Sequence, residues 1–141
     1  MDMSLPTLPA SDAGAATRPP ERAVARRAAL TILTVVAAFQ LALVAGAPWG
    51  AAAWGGEAPG ALPTSLRLAS AGSVLVYGGL VALVSTRRLR PAVRRVLLTG
   101  ASLLMVLSTV GNLATQSSVE RVWAPFAAAL AVLFWRLRKR H

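Results

Sequence analysis

Four long apolar runs, each bounded by arginines or by turn-forming residues, set the pattern of the chain. The first, AALTILTVVAAFQLALVAGA at about 28–47, carries no charge over twenty residues. Twenty helical residues at about 1.5 Å each span a hydrocarbon core of about 30 Å. The later runs predict helices over about 66–86, 94–114 and 118–137. None alternates apolar and polar residues with period two, as the strands of a small membrane barrel do. Alanine and leucine dominate over β-branched residues in them. Four such helices leave too few polar residues to coat a soluble globule. The expected fold is all-α: a compact four-helix transmembrane bundle over 21–138, with an ordered loop between helices one and two.

Local signals set the expected helix ends. SSVE at 117–120 has capping-box spacing. Ser117 accepts from the Glu120 amide, and Glu120 reaches back to the Ser117 amide. The fourth helix then starts near 118, with Pro125 inside it and expected to bend its axis. LPTS before the second helix offers Thr64 or Ser65 as the cap and puts Arg67 in the first turn. RRLRPAVRR, with Pro91 in its middle, reads as a tight turn of nine residues. Ala38, Ala42, Gly46 and Gly50 recur at spacing four, and Thr34 extends the stripe. Small residues at that spacing let helices approach closely, within a bundle or across a homodimer seam. Gly72, Gly78, Gly79 and Ala82 offer a less regular partner face.

Composition points to lipid as the solvent. Of 141 residues, 55% are hydrophobic and 14% charged, against about 25% charged in soluble domains. The net charge of +10 first suggests nucleic acid. Its placement argues otherwise, because the basic residues sit in knots between apolar runs. Arg18, Arg22, Arg26 and Arg27 precede the first run, Arg87, Arg88, Arg90, Arg94 and Arg95 join the second to the third, and Arg136, Arg138, Lys139 and Arg140 close the chain. These are thirteen of the fifteen basic residues, and only Arg67 and Arg121 fall on the other side. That is a positive-inside pattern with both termini cytoplasmic. Residues 1–20 are proline-rich and short of large apolar side chains, so a disordered cytoplasmic tail is expected, with a basic tail at 139–141. AGA at 45–47 resembles a signal-peptide cleavage site, but the run exceeds the usual apolar length of about 7–15 residues and follows a long N-terminal segment. There is no cysteine, and the only histidine is His141. Disulfides, thiolate metal sites and histidine-based centres are thereby excluded within one chain. No cofactor is expected.

Polar residues in the spans concentrate toward the non-cytoplasmic side. Gln40, Ser70, Ser73, Ser108, Thr109 and Asn112 lie in the outer halves, with Gln116, Glu120 and Arg121 at the boundary. Intramembrane polar groups are the sharpest functional signal such a chain offers. They predict a chamber opening outward, with Tyr77 near its floor. GAPWGAAAWGGEAPG at 46–60 is expected to roof it, held at headgroup level by Trp49 and Trp54 and flanked by Glu57 and Arg67. Trp123 and Trp135 mark the two ends of the fourth span. Thr109, Asn112 and Gln116 share one helical face. Asn112 and Gln40 are placed to hydrogen-bond each other and hold the bundle together. Glu57, Glu120, Arg67 and Arg121 are the outer charges and are expected as two opposite-sign braces.

The motifs GAPWG, AWGG and LPTSLR in the first half, with GN at 111–112, SSVER at 117–121 and Pro125 in the second, resemble a group of small integral membrane proteins of high-GC Gram-positive bacteria. The resemblance covers roughly 25–135. Members of that group are four-helix proteins without an assigned activity. The resemblance therefore implies topology, a bacterial cytoplasmic membrane, and importance for Gln40, Trp49, Trp54, Asn112, Glu120 and Arg121, but no mechanism. Three function classes follow from the residues. The first is a binding, scaffold or accessory protein that recognises membrane lipids or a partner helix through the outer chamber. The second is a small oligomeric transporter or channel, although no acid lies at mid-depth. The third is an enzyme with Glu120 as general acid or base beside Asn112. No nucleophile, metal set or phosphate loop accompanies that pair.

Overall fold

The computed structural model describes residues 18–86 and 88–138. Among these the chain is all-helical, with α1 (Arg18–Ala45), α2 (Thr64–Ser85), α3 (Pro91–Ala114) and α4 (Trp123–Leu137). Short 3-10 turns at Gly50–Ala52 and Trp54–Gly56 lie between α1 and α2, and a third at Glu120–Val122 leads into α4. Three helices are long and apolar enough to cross a membrane: Glu21–Ala45 of α1, α2 and α3. α4 has 15 residues, or about 22 Å. The expected fourth helix of 118–137 is thus divided into a 3-10 turn and a shorter α-helix.

Proline positions account for several differences from expectation. α1 begins well before its apolar run, with Pro19 and Pro20 in the first turn, where a missing N–H is tolerated. Residues 18–20 are therefore helical, and the rest of the expected tail, like 139–141, lies outside the described residues. Pro91 is the first residue of α3, so Arg94 and Arg95 are helical and the turn is shorter than expected. Pro125 is the third residue of α4. It sits in the first turn and loses no internal hydrogen bond, so it starts the helix instead of bending it. At α2 the N-cap is Pro63, with no side-chain cap from Thr64 or Ser65.

The small-residue stripe is broken at Ala45, where α1 stops. Gly46 adopts φ +96. Its amide donates to Leu43 O at 3.1 Å, and Ala47 donates to Ala42 O at 2.9 Å. These two bonds form a Schellman ending with glycine in the left-handed position. Gly50 lies beyond that turn, so it cannot continue the face of Ala38 and Ala42. A Cβ on Gly50 would overlap Ala58 O. Close backbone approach in the connection explains this glycine.

The helices pack in the order α2–α1–α4–α3, and α2 and α3 hardly touch. Short connections do make antiparallel neighbours of α1/α2 and α3/α4, but α2 and α3 diverge from their turn. The main core fills the end of the bundle near that turn, around Leu33, Val84, Leu98, Leu130 and Phe134. Ser102 Oγ donates to Ala131 O at 2.8 Å and ties α3 to α4 there. A small second cluster of Leu43, Ala53 and Leu62 lies at the opposite end, beneath the α1–α2 connection. The outside of the bundle is apolar: Leu75 is 78% exposed and Val96 70%. Such an exterior suits lipid and not water.

Each helix ends against an arginine. Arg67 of α2 donates through Nε and Nη2 to Val44 O, at 2.9 and 2.6 Å. Arg26 of α1 donates to Val84 O and Ser85 O, both at 3.1 Å. Arg94 of α3 reaches Leu137 O at 2.8 Å. Arg121, in the 3-10 turn before α4, reaches Thr115 O at 3.0 Å. The last carbonyls of a helix lack internal donors and carry partial negative charge, so a guanidinium satisfies both needs. Of the two opposite-sign braces expected among Glu57, Glu120, Arg67 and Arg121, neither is seen, and both arginines bond helix-end carbonyls instead.

Candidate functional site

Between the main core and the α1–α2 connection lies a cavity of about 210 Å³. A single water needs about 10–15 Å³, so this space takes an organic group. Its walls follow helical spacing. α1 contributes Val36, Phe39 and Gln40, and α2 contributes Ser73 and Tyr77. α3 contributes Met105, Ser108 and Asn112, at spacings three and four on one face. α4 adds Trp123, Phe126, Ala127 and Leu130. Ala52, Ala53 and Trp54 of the connection complete the lining with Glu120.

The connection is pinned to the helices by side chains from both halves of the chain. Trp54 Nε1 donates to Ser70 Oγ at 3.0 Å, and Ser70 is fully buried. Trp123 Nε1 donates to Ala52 O at 3.0 Å. Ser117 Oγ donates to Ala51 O at 2.6 Å and accepts from the Glu120 amide at 3.2 Å. Glu120 Oε2 accepts from the Gly55 amide at 3.0 Å and from Thr115 Oγ1 at 2.6 Å. Half of the expected capping box is therefore formed. Its other half is not, because the Ser117 amide donates to Thr115 Oγ1 instead. The Glu120 side chain is drawn forward onto the connection. Gly56 has φ +74, and a Cβ there would meet Ser117 Cβ at 2.7 Å. Trp54 holds φ +54, an uncommon backbone region for a bulky residue that costs on the order of 1–3 kcal/mol.

Of the residues expected in the chamber, Gln40, Trp54, Ser73, Tyr77, Ser108, Asn112 and Glu120 line it. The others do not. Trp49 stays half exposed and stacks on Phe39 at 6.2 Å. Glu57 is exposed just past the second 3-10 turn. Arg67 and Arg121 serve helix ends. Thr109 Oγ1 donates to Met105 O in its own helix at 2.8 Å, since the α3 face turned inward is that of Ser108. Gln116 lies past the end of α3 at Ala114 and is exposed. The expected Gln40–Asn112 bond is not made either. Both line the open space, and Gln40 Oε1 is buried without a partner.

The aromatic wall is what residue-by-residue reading missed. Phe39 meets Trp123 at 4.6 Å between ring centroids, and Trp123 meets Phe126 at 5.8 Å. The spacing of three from Trp123 to Phe126 and the adjacency of Phe39 to Gln40 were the available signals. Glu120 is the one acidic side chain in the lining, and no basic side chain lines it. Among the described residues no cluster of three His, Asp or Glu side chains stands ready for a metal. Comparison of the chain with protein-family models, curated proteins and solved structures found no match. The resemblance to small four-helix membrane proteins rests on its motifs alone.

Proposed function

We propose that the chain is an integral membrane binding protein that holds the polar end of an amphiphile, a lipid or lipid-like molecule, in the cavity beneath the α1–α2 connection. The observation that carries this is Gln40 Oε1, buried and unpartnered in a wall it shares with Asn112, Ser108, Ser73 and Tyr77. An unsatisfied buried acceptor costs about 1–3 kcal/mol, and turning the Gln40 amide toward a bound donor would recover that loss. The gap between α2 and α3 is the entry route, since both helices line the cavity and scarcely touch. Acyl chains would stay outside, against exposed apolar positions such as Leu75 and Leu107.

In this reading α4 and its leading 3-10 turn form a fourth, short span. Both termini are cytoplasmic and the connection is an ordered outer cap, as the arginine distribution and the positive-inside rule favour. The membrane is the bacterial cytoplasmic membrane, in keeping with the motif resemblance.

The test is thermal unfolding of delipidated protein in detergent, with phospholipid added back. A ligand at 100 times its Kd stabilises by about 2.7 kcal/mol. The wild type should gain stability saturably, and Gln40→Leu/Asn112→Leu should gain little. Equal gains in both proteins would reject the cavity as the binding site.

A further inference from the structure

We infer that the group recognised in this cavity is a protonated amine, an inference that rests on the amphiphile-binding reading above. The sign of the site comes first. Its lining includes Glu120 and no lysine, arginine or histidine. The two arginines nearest the connection are committed elsewhere, Arg67 to Val44 O and Arg121 to Thr115 O. The cavity therefore has neutral donors but no cationic side chain to offer a phosphate or carboxylate. Glu120 Oε2 is held by two neutral donors, the Gly55 amide and the Thr115 hydroxyl. They orient the carboxyl and bring it no formal charge. A cation is the complement that no side chain of the lining supplies.

The walls supply the rest of a cation site. Phe39, Trp123 and Phe126 form one continuous aromatic surface, and Trp54 adds a fourth ring to the lining. Ring faces attract cations, most strongly where water is excluded. Gln40 Oε1 adds an acceptor with no donor of its own. Once the Gln40 amide turns toward the cavity, a primary ammonium has N–H groups to give that oxygen, whereas a quaternary ammonium has none. The amine can come from the headgroup of an ethanolamine-type lipid or from a free hydrophobic amine.

Native mass spectrometry of the full chain separates these sources and tests the inference. An ethanolamine lipid competes against a glycerol-headgroup lipid with identical acyl chains. In a parallel titration, phenethylammonium is added and tryptophan fluorescence is read. Wild type should prefer the ethanolamine lipid, or respond to phenethylammonium, by at least about tenfold over the neutral or anionic comparison. Preference for the lipid identifies a headgroup, and a response to phenethylammonium alone identifies a free amine. Glu120→Gln keeps an acceptor oxygen for Gly55 and Thr115 and should reduce the preference to within about twofold. If that variant does not fold, Phe39→Leu should weaken amine binding several-fold and leave the glycerol lipid unaffected. Equal retention of both lipids, with phenethylammonium silent, would overturn the amine inference. If that equal retention is lost in Gln40→Leu/Asn112→Leu, the amphiphile-binding reading survives. No retention of any probe would overturn both.

Discussion

Arg26 and Arg67 exchange roles across one hairpin: each lies near the start of its helix and closes the end of the other. Across the second hairpin Arg94 of α3 closes the end of α4, and Arg121, in the turn before α4, closes the end of α3. A charged donor at a helix-end carbonyl contributes more than a neutral one, but exposure to water reduces the gain. Arg67→Gln should therefore cost about 1 kcal/mol and the more enclosed Arg26→Gln about 1–2 kcal/mol. Arg27→Gln, at an exposed site, should stay within about 0.5 kcal/mol. Reversible unfolding in mixed micelles reads all three. A loss at Arg27 equal to that at Arg26 would make the arginines bulk charge and not caps. Sequence reading assigned these arginines to topology and to ion pairs. Their carbonyl partners carry no residue-type signature, so this role was invisible before helix ends were known.

At the scale of elements, the apolar runs made four helices legible, and the tryptophan-rich segment was recognisable as something other than a linker. Helix ends were less so. Prolines at 91 and 125 sit inside first turns, and a proline there looks in sequence much like one that breaks a helix. Glycines were harder still, because the same residue serves opposite ends. Gly50 is enclosed by Ala58 O, Gly60 O and Leu62, whereas Gly72 has nothing near its Cβ position. Gly50→Ala should cost at least about 1–3 kcal/mol by overpacking and speed amide exchange across 50–57. Gly72→Ala should be neutral or stabilising by up to about 1 kcal/mol. Hydrogen exchange on both variants checks this, and unchanged protection in Gly50→Ala would mean the connection is not held by close packing.

For the whole molecule, the feature that matters is the divergence of α2 and α3 around a cavity walled by all four helices. Polar depth along the spans was enough to place Gln40, Ser73, Asn112 and Glu120 together. It could not show rotation about each helix axis, which is why Thr109 was expected in the wall with Ser108 and instead bonds its own helix. Nor did it show that Phe39, Trp123 and Phe126 would meet, since these come from α1 and α4 and touch only after packing. Glu120 joins the scales: one residue starts a 3-10 turn, fastens the connection through Gly55 and lines the cavity. The most direct measurement is native mass spectrometry of the full chain taken gently from its own membrane, beside Gln40→Leu/Asn112→Leu. One amphiphile retained per wild-type chain and lost from the variant is the predicted result. A bare wild-type chain, or an adduct that the variant keeps unchanged, would contradict the account.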